Sequence, residues 1–93
     1  MRHATQAALD VLEPLLGEVP RRSDLRERGR GVFYRKSRAW LHFHEDPAGL
    51  FADLRSEGDW LRIDVTDDSG KAALLRQLDE QDKIRADAPV VGC

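Results

Sequence analysis

His42 and His44, one residue apart in the run HFHED, are the residues of this chain whose types and spacing suit metal chemistry. On an extended strand, residues i and i+2 point to one face, so both imidazoles can approach a single ion. Imidazole ligands suit zinc and iron, the two metals such a pair would take. A third donor is required. The nearest carboxylate is Asp53, which the register derived below sets opposite Trp40 and diagonal to His42. Asp64 lies two strands away, and Glu45 and Asp46 belong to the adjoining turn. The same pair also reads as two polar-face histidines with no ligand.

A second group is aromatic and basic: Phe33, Trp40, Phe51 and Trp60 among Arg35, Arg38, Arg55 and Arg62. Single-stranded nucleic acid is bound by such surfaces, with bases stacked on rings and phosphates on guanidinium groups. Protein interfaces use the same residues. Nothing assigns a reaction. No Ser-His-Asp arrangement has a nucleophile context. Ser69-Gly70-Lys71 resembles the end of a phosphate loop, but Asp64 stands where the upstream glycine is needed.

These side chains need a sheet to position them, and residues 31–65 supply its pattern. Leu61, Ile63 and Val65 alternate with Arg62 and Asp64; Leu50, Ala52 and Leu54 alternate with Phe51 and Asp53. Ala39, Leu41 and Phe43 alternate with Trp40, His42 and His44, and Val32 and Tyr34 with Phe33 and Arg35. A period of two sends the two sets to opposite faces. Turn residues separate the runs: Lys36-Ser37, then 45–48, then 56–59. A two-residue first turn pairs Arg35 with Arg38 and sets Phe33 opposite Trp40. A four-residue second turn pairs His44 with Gly49. A four-residue third turn pairs Arg55 with Trp60 and Leu54 with Leu61. The pattern therefore predicts a four-stranded antiparallel meander with one apolar face. The other face carries Phe33, Arg35, Arg38, Trp40, His42, His44, Phe51, Asp53, Arg55, Trp60, Arg62 and Asp64, with Asp53 between Trp40 and Arg62 and Arg55 beside Trp60.

Helices flank the meander. Ala8, Val11, Leu12 and Leu15 make a buried stripe over 4–16, with Thr5 as its cap. Pro14 predicts an end, kink or restart near Glu13. Residues 20–31, PRRSDLRERGRG, read as a polar connector, at most with one helical turn at Ser23–Glu27. A second helix follows over about 68–86, capped by Asp67, Asp68 and Ser69 and buried through Ala72, Leu75, Leu78 and Leu74. The expected fold class is α+β in the order α-β-β-β-β-α, with both helices on the apolar face. Residues 1–86 form the single domain and 87–93 a flexible tail.

Ninety-three residues with 41% hydrophobic and 34% charged side chains describe one ordinary globular domain. No apolar run approaches the roughly 18 residues of a membrane span. The start has acids within an amphipathic pattern, unlike a secretory signal. The lone cysteine, Cys93, forms no internal disulfide, so a cytoplasmic setting is expected. Residues 21–38 hold eight basic residues against Asp24 and Glu27, a local excess of six, so the rest of the −2 chain carries −8.

The stretch from Gly31 to Asp64 resembles small bacterial α/β domains of the YjbR/MmcQ-like kind, through Phe33, Ala39, Trp40, Gly49, Leu50, Asp53 and Leu54. That resemblance implies an antiparallel-sheet α+β fold and DNA association, and carries over no catalytic residue. Taken together, the chain reads as a bacterial-type interaction domain rather than an enzyme. The open face of its sheet serves self-association, most simply as a homodimer, or a protein or ligand partner. Nucleic-acid binding and a zinc or iron site at His42 and His44 are the alternatives.

Overall fold

The computed structural model of the chain describes residues 2–56 and 58–87. The fold is α+β: a six-stranded antiparallel sheet with two helices on one face. The elements are β1 (Arg2–His3), α1 (Gln6–Arg22), β2 (Arg26–Gly29), β3 (Val32–Arg35), β4 (Arg38–Asp46), β5 (Gly49–Ser56), β6 (Asp59–Asp64) and α2 (Asp68–Asp87). Strands β2 to β6 lie in sequence order, and β1 pairs with β4 off that path. The expected four-stranded layout is therefore extended by two short strands. Glu57, and residues 88–93 of the predicted tail, lie outside the described residues.

Both added strands arise where local pattern is weakest. The connector read as polar becomes β2, whose four residues are all exposed on the sheet edge. A charged edge strand needs no apolar alternation, and its charges oppose edge-to-edge pairing. Leu25, just before it, is 4% exposed and belongs to the core. Strand β1 exists because β4 is longer than its partner. The pairing of β3 ends at His42, and β1 takes Arg2↔Glu45 and His3↔His44 on the same side of β4. A backbone bond from Ala4 N to Phe43 O (3.1 Å) and a bond from Thr5 N to the Glu45 carboxylate tie the link between β1 and α1 to β4.

Pro14 neither ends nor restarts α1, which runs seventeen residues through Pro14 and Pro20. Both prolines are exposed, so their rings stand on the side of the helix away from the core. Thr5 caps the helix by accepting from Ala8 N at 3.3 Å. The buried stripe is Ala8, Leu9, Leu12, Leu15, Leu16 and Val19, and Val11 is 60% exposed. In α2, Leu74 and Leu78 are buried, Leu75 packs on the core, and Ala72 is exposed. The helix side chains meet Phe33, Leu41, Phe43, Ala52 and Leu54 of the sheet in one cluster.

Register differs from the expected one in two hairpins, with different consequences. Between β4 and β5 the pairing runs from Asp46↔Gly49 to Leu41↔Leu54, a shift of two residues. A shift of two preserves faces, so His42 and His44 remain opposite the core set. It moves Asp53 from Trp40 to His42. Between β3 and β4, a bulge separates Phe33↔Leu41 from Tyr34↔Ala39, leaving Trp40 as the extra residue. One extra residue inverts β3. Phe33, expected on the open face, is fully buried. Trp40 also leaves that face: it packs against the core, and its Nε1–H donates to Gln81 Oε1 of α2 at 3.2 Å. The β5–β6 hairpin keeps the expected pairs, including Arg55↔Trp60 and Asp53↔Arg62.

Candidate metal centre

The open face is organised by two adjacent cross-strand rows. One runs His3, His44, Phe51, Asp64 across β1, β4, β5 and β6; the other runs Val32, His42, Asp53, Arg62 across β3, β4, β5 and β6. Directly opposite residues on an antiparallel pair touch. Three imidazoles therefore meet where the rows begin. Ring centroids are 4.8 Å apart for His42 and His44, 5.0 Å for His3 and His44, and 5.9 Å for His3 and His42. One ligating nitrogen from each ring lies within 4.8 Å of the others. His3 is exposed; His42 and His44 are partly buried.

The contacts around His44 constrain where protons sit. Its Nε2 is 2.8 Å from His42 Nδ1 and 3.1 Å from Asp53 Oδ2. Only one hydrogen can lie on that nitrogen. With the hydrogen present, His44 donates to the Asp53 carboxylate while His42 turns a lone pair toward the same hydrogen. With it absent, a lone pair and a carboxylate oxygen face each other unshielded. The first arrangement is electrostatically consistent, and it places one shared proton where three donor atoms converge. For His44 Nε2 to ligate an ion, this hydrogen must pass to Nδ1, because a ligating imidazole nitrogen carries none. Burial and the neighbouring His44 hold His42 below its ordinary pKa, against the pull of Asp53, which favours the neutral ligand form.

Asp53 is the one buried charged residue among the described residues, 7% exposed. Its carboxylate accepts Arg62 Nε at 2.8 Å and Nη2 at 2.9 Å, one bond to each oxygen. Those bonds, more than the histidines, hold Asp53 below the usual carboxylate range. Asp64 is turned away to accept Thr66 N at 2.9 Å. Trp60 packs edge-on against His42 at 4.8 Å, and the Arg55 guanidinium lies 4.5 Å over its ring. Arg55 Nε also donates to Ala39 O at 3.1 Å. Arg38 pairs with Arg35 at the hairpin end. Glu45 is engaged by Thr5 N and Arg2, and Asp46 caps its own turn by accepting Ala48 N at 2.8 Å.

The structure thus brings together His42, His44, Asp53, Trp60, Arg55 and Arg62 from the sequence reading. It removes Phe33 and Trp40 from the face, which leaves Phe51 and Trp60 of the four aromatic rings expected there. The residue that sequence reasoning missed is His3. Two residues carry no periodicity, and the only available signal was the excess length of the HFHED strand, which leaves an edge for something to fill. Among the described residues no helix is long and apolar enough to cross a membrane. No family model, curated protein or solved structure matches the chain.

Proposed function

We propose that this domain binds a divalent transition-metal ion of the zinc or iron class through His3, His42 and His44. The observation that carries the reading is the convergence of three ligating nitrogens within 4.8 Å from two neighbouring strands. Nitrogen donors about 2.0–2.1 Å from a tetrahedral ion stand about 3.3–3.4 Å apart. The His42–His44 pair at 2.8 Å needs to open slightly and the exposed His3 ring to swing inward. Neither movement disturbs the core, because all three rings lie on the face away from the helices. Asp53, anchored by Arg62, faces the ligating nitrogen of His44 itself, at 3.1 Å from Nε2, and so stands beside the ion's place rather than behind the ring.

The test is calorimetric titration of tag-free protein with zinc and with ferrous iron. The expected result is 1:1 uptake that His42→Ala and His44→Ala abolish and His3→Ala weakens. Absence of stoichiometric uptake by the wild-type protein refutes the reading.

A second reading, self-association through edge strand β6, is favoured by one observation: Trp60 and Leu61, both on β6, are 40% and 38% exposed. Val65 N donates to Leu50 O, so Asp64, Arg62 and Trp60 turn their backbone groups outward. A twofold pairing centred on Ile63 would then set Arg62 against Asp64 of a second copy, opposite charges face to face. Light scattering near physiological salt tests it: a dimer that Leu61→Lys converts to monomer supports this reading, and a wild-type monomer ends it.

A further inference from the structure

We infer that the remaining coordination position of this centre takes a small oxyanion, a phosphate or a carboxylate group, and that Arg62 keeps the position open by holding Asp53 out of the coordination sphere. The inference rests on the metal-binding reading and says what that site is for.

Coordination number comes first. Three imidazoles satisfy three of the four positions that zinc usually fills. The closest additional donor is Asp53, 3.1 Å from His44 Nε2. Left alone, that carboxylate would close the site, and a closed four-ligand site is structural. It is not left alone. Arg62 bonds both of its oxygens in a planar two-point pair, at 2.8 and 2.9 Å. That geometry fixes the carboxylate plane and engages the charge that would otherwise be drawn to the ion. The other acid of the face, Asp64, is held by Thr66. Glu45 is held by Thr5 and Arg2.

Charge comes second. Three neutral imidazoles leave both positive charges of the metal uncompensated. Asp53 is offset by Arg62, and Arg55 adds a cation over Trp60, the ring that abuts His42. The field at the vacant position is therefore positive, and its natural occupant is an anion. Oxygen donors from phosphate or carboxylate match both the ion and the guanidinium groups. His3 at the exposed end of the cluster leaves an open approach, so the group can be free or carried on a larger molecule.

The experiment uses the full chain without a tag, loaded with cobalt(II), whose visible absorption reports its ligands. Inorganic phosphate and acetate are titrated separately. The expected result is a saturable 1:1 spectral change with phosphate, acetate or both, and the stronger of the two identifies the source chemistry. Arg62→Gln frees Asp53 to coordinate, so the spectrum should change before any anion is added. Anion affinity should then fall roughly tenfold or more. Asp53→Ala together with Arg62→Gln should restore the anion response. Cobalt uptake with a spectrum that neither anion moves overturns the inference and leaves metal binding standing. Absence of cobalt uptake overturns both.

Discussion

Replacing Phe33 with alanine tests whether the bulge at Trp40 sets the faces of the sheet. With an unbroken hairpin, Phe33 would lie on the open face and its truncation would change stability by about 0.5 kcal/mol or less. With the bulge, the ring is fully buried opposite Leu41, in a cluster with α1 and α2 side chains. Removing a buried phenyl ring loses its transfer free energy and leaves a cavity, together about 3–5 kcal/mol. A 93-residue domain is stable by roughly 5–14 kcal/mol, so the variant should lose about a fifth or more of that margin. Each kcal/mol lowers the midpoint by about 4–8 °C in a domain of this size. The assay is paired urea and thermal unfolding followed by far-UV circular dichroism. The expected result is a midpoint at least 12 °C lower, a magnitude of about 3 kcal/mol at the smaller slope, with the urea dependence unchanged. Phe33→Leu, which keeps most of the volume, should lose less than half as much. A Phe33→Ala loss below about 1 kcal/mol would refute the bulged register and return Phe33 to the surface.

Other outcomes follow from particular contacts. Gly70→Ala should destabilise by at least about 2 kcal/mol, because a Cβ there would fall 1.8 Å from the backbone oxygen of Asp64; chemical denaturation reads it. The glycine of the Ser69-Gly70-Lys71 run is thus required by close packing of the α2 start on the end of β6. Val11→Glu on the exposed face of α1 should stay within about 0.5 kcal/mol of wild type in the same assay. Asp53 is held below its ordinary pKa chiefly by Arg62, so its contribution is fully present above the unfolded carboxylate value of about 3.9 and is lost as pH falls from there through the lower folded value. The stability gap between wild type and Asp53→Asn should therefore shrink as pH falls below about 4, which denaturation at a series of pH values measures.

Alternation by itself determined most of the sheet. It is a local property, since neighbouring side chains on a strand take opposite faces whatever the strand pairs with. It therefore set His42, His44, Asp53, Arg62 and Trp60 apart from Leu41, Phe43, Ala52 and Leu54 before any register was known. A two-residue error between β4 and β5 did no harm to that division, because faces repeat with the same period. The helical stripes of α1 and α2 were legible for the same reason, except at their edges, where Val11 and Ala72 turned outward and Leu9 and Leu16 inward. What depended on distant pairing was not legible. The bulge that buries Phe33 and draws Trp40 to Gln81 reflects the fit of one hairpin against α2, and nothing in VFYRKSRAW marks it. The continuation of α1 through Pro14 depends on which side of the helix meets water. Strand β1 forms only because β4 extends past β3 and offers an unfilled edge, and that edge carries His3 to His44. Two histidines were written in the strand; the third reached them through tertiary pairing, forty-one residues away along the chain.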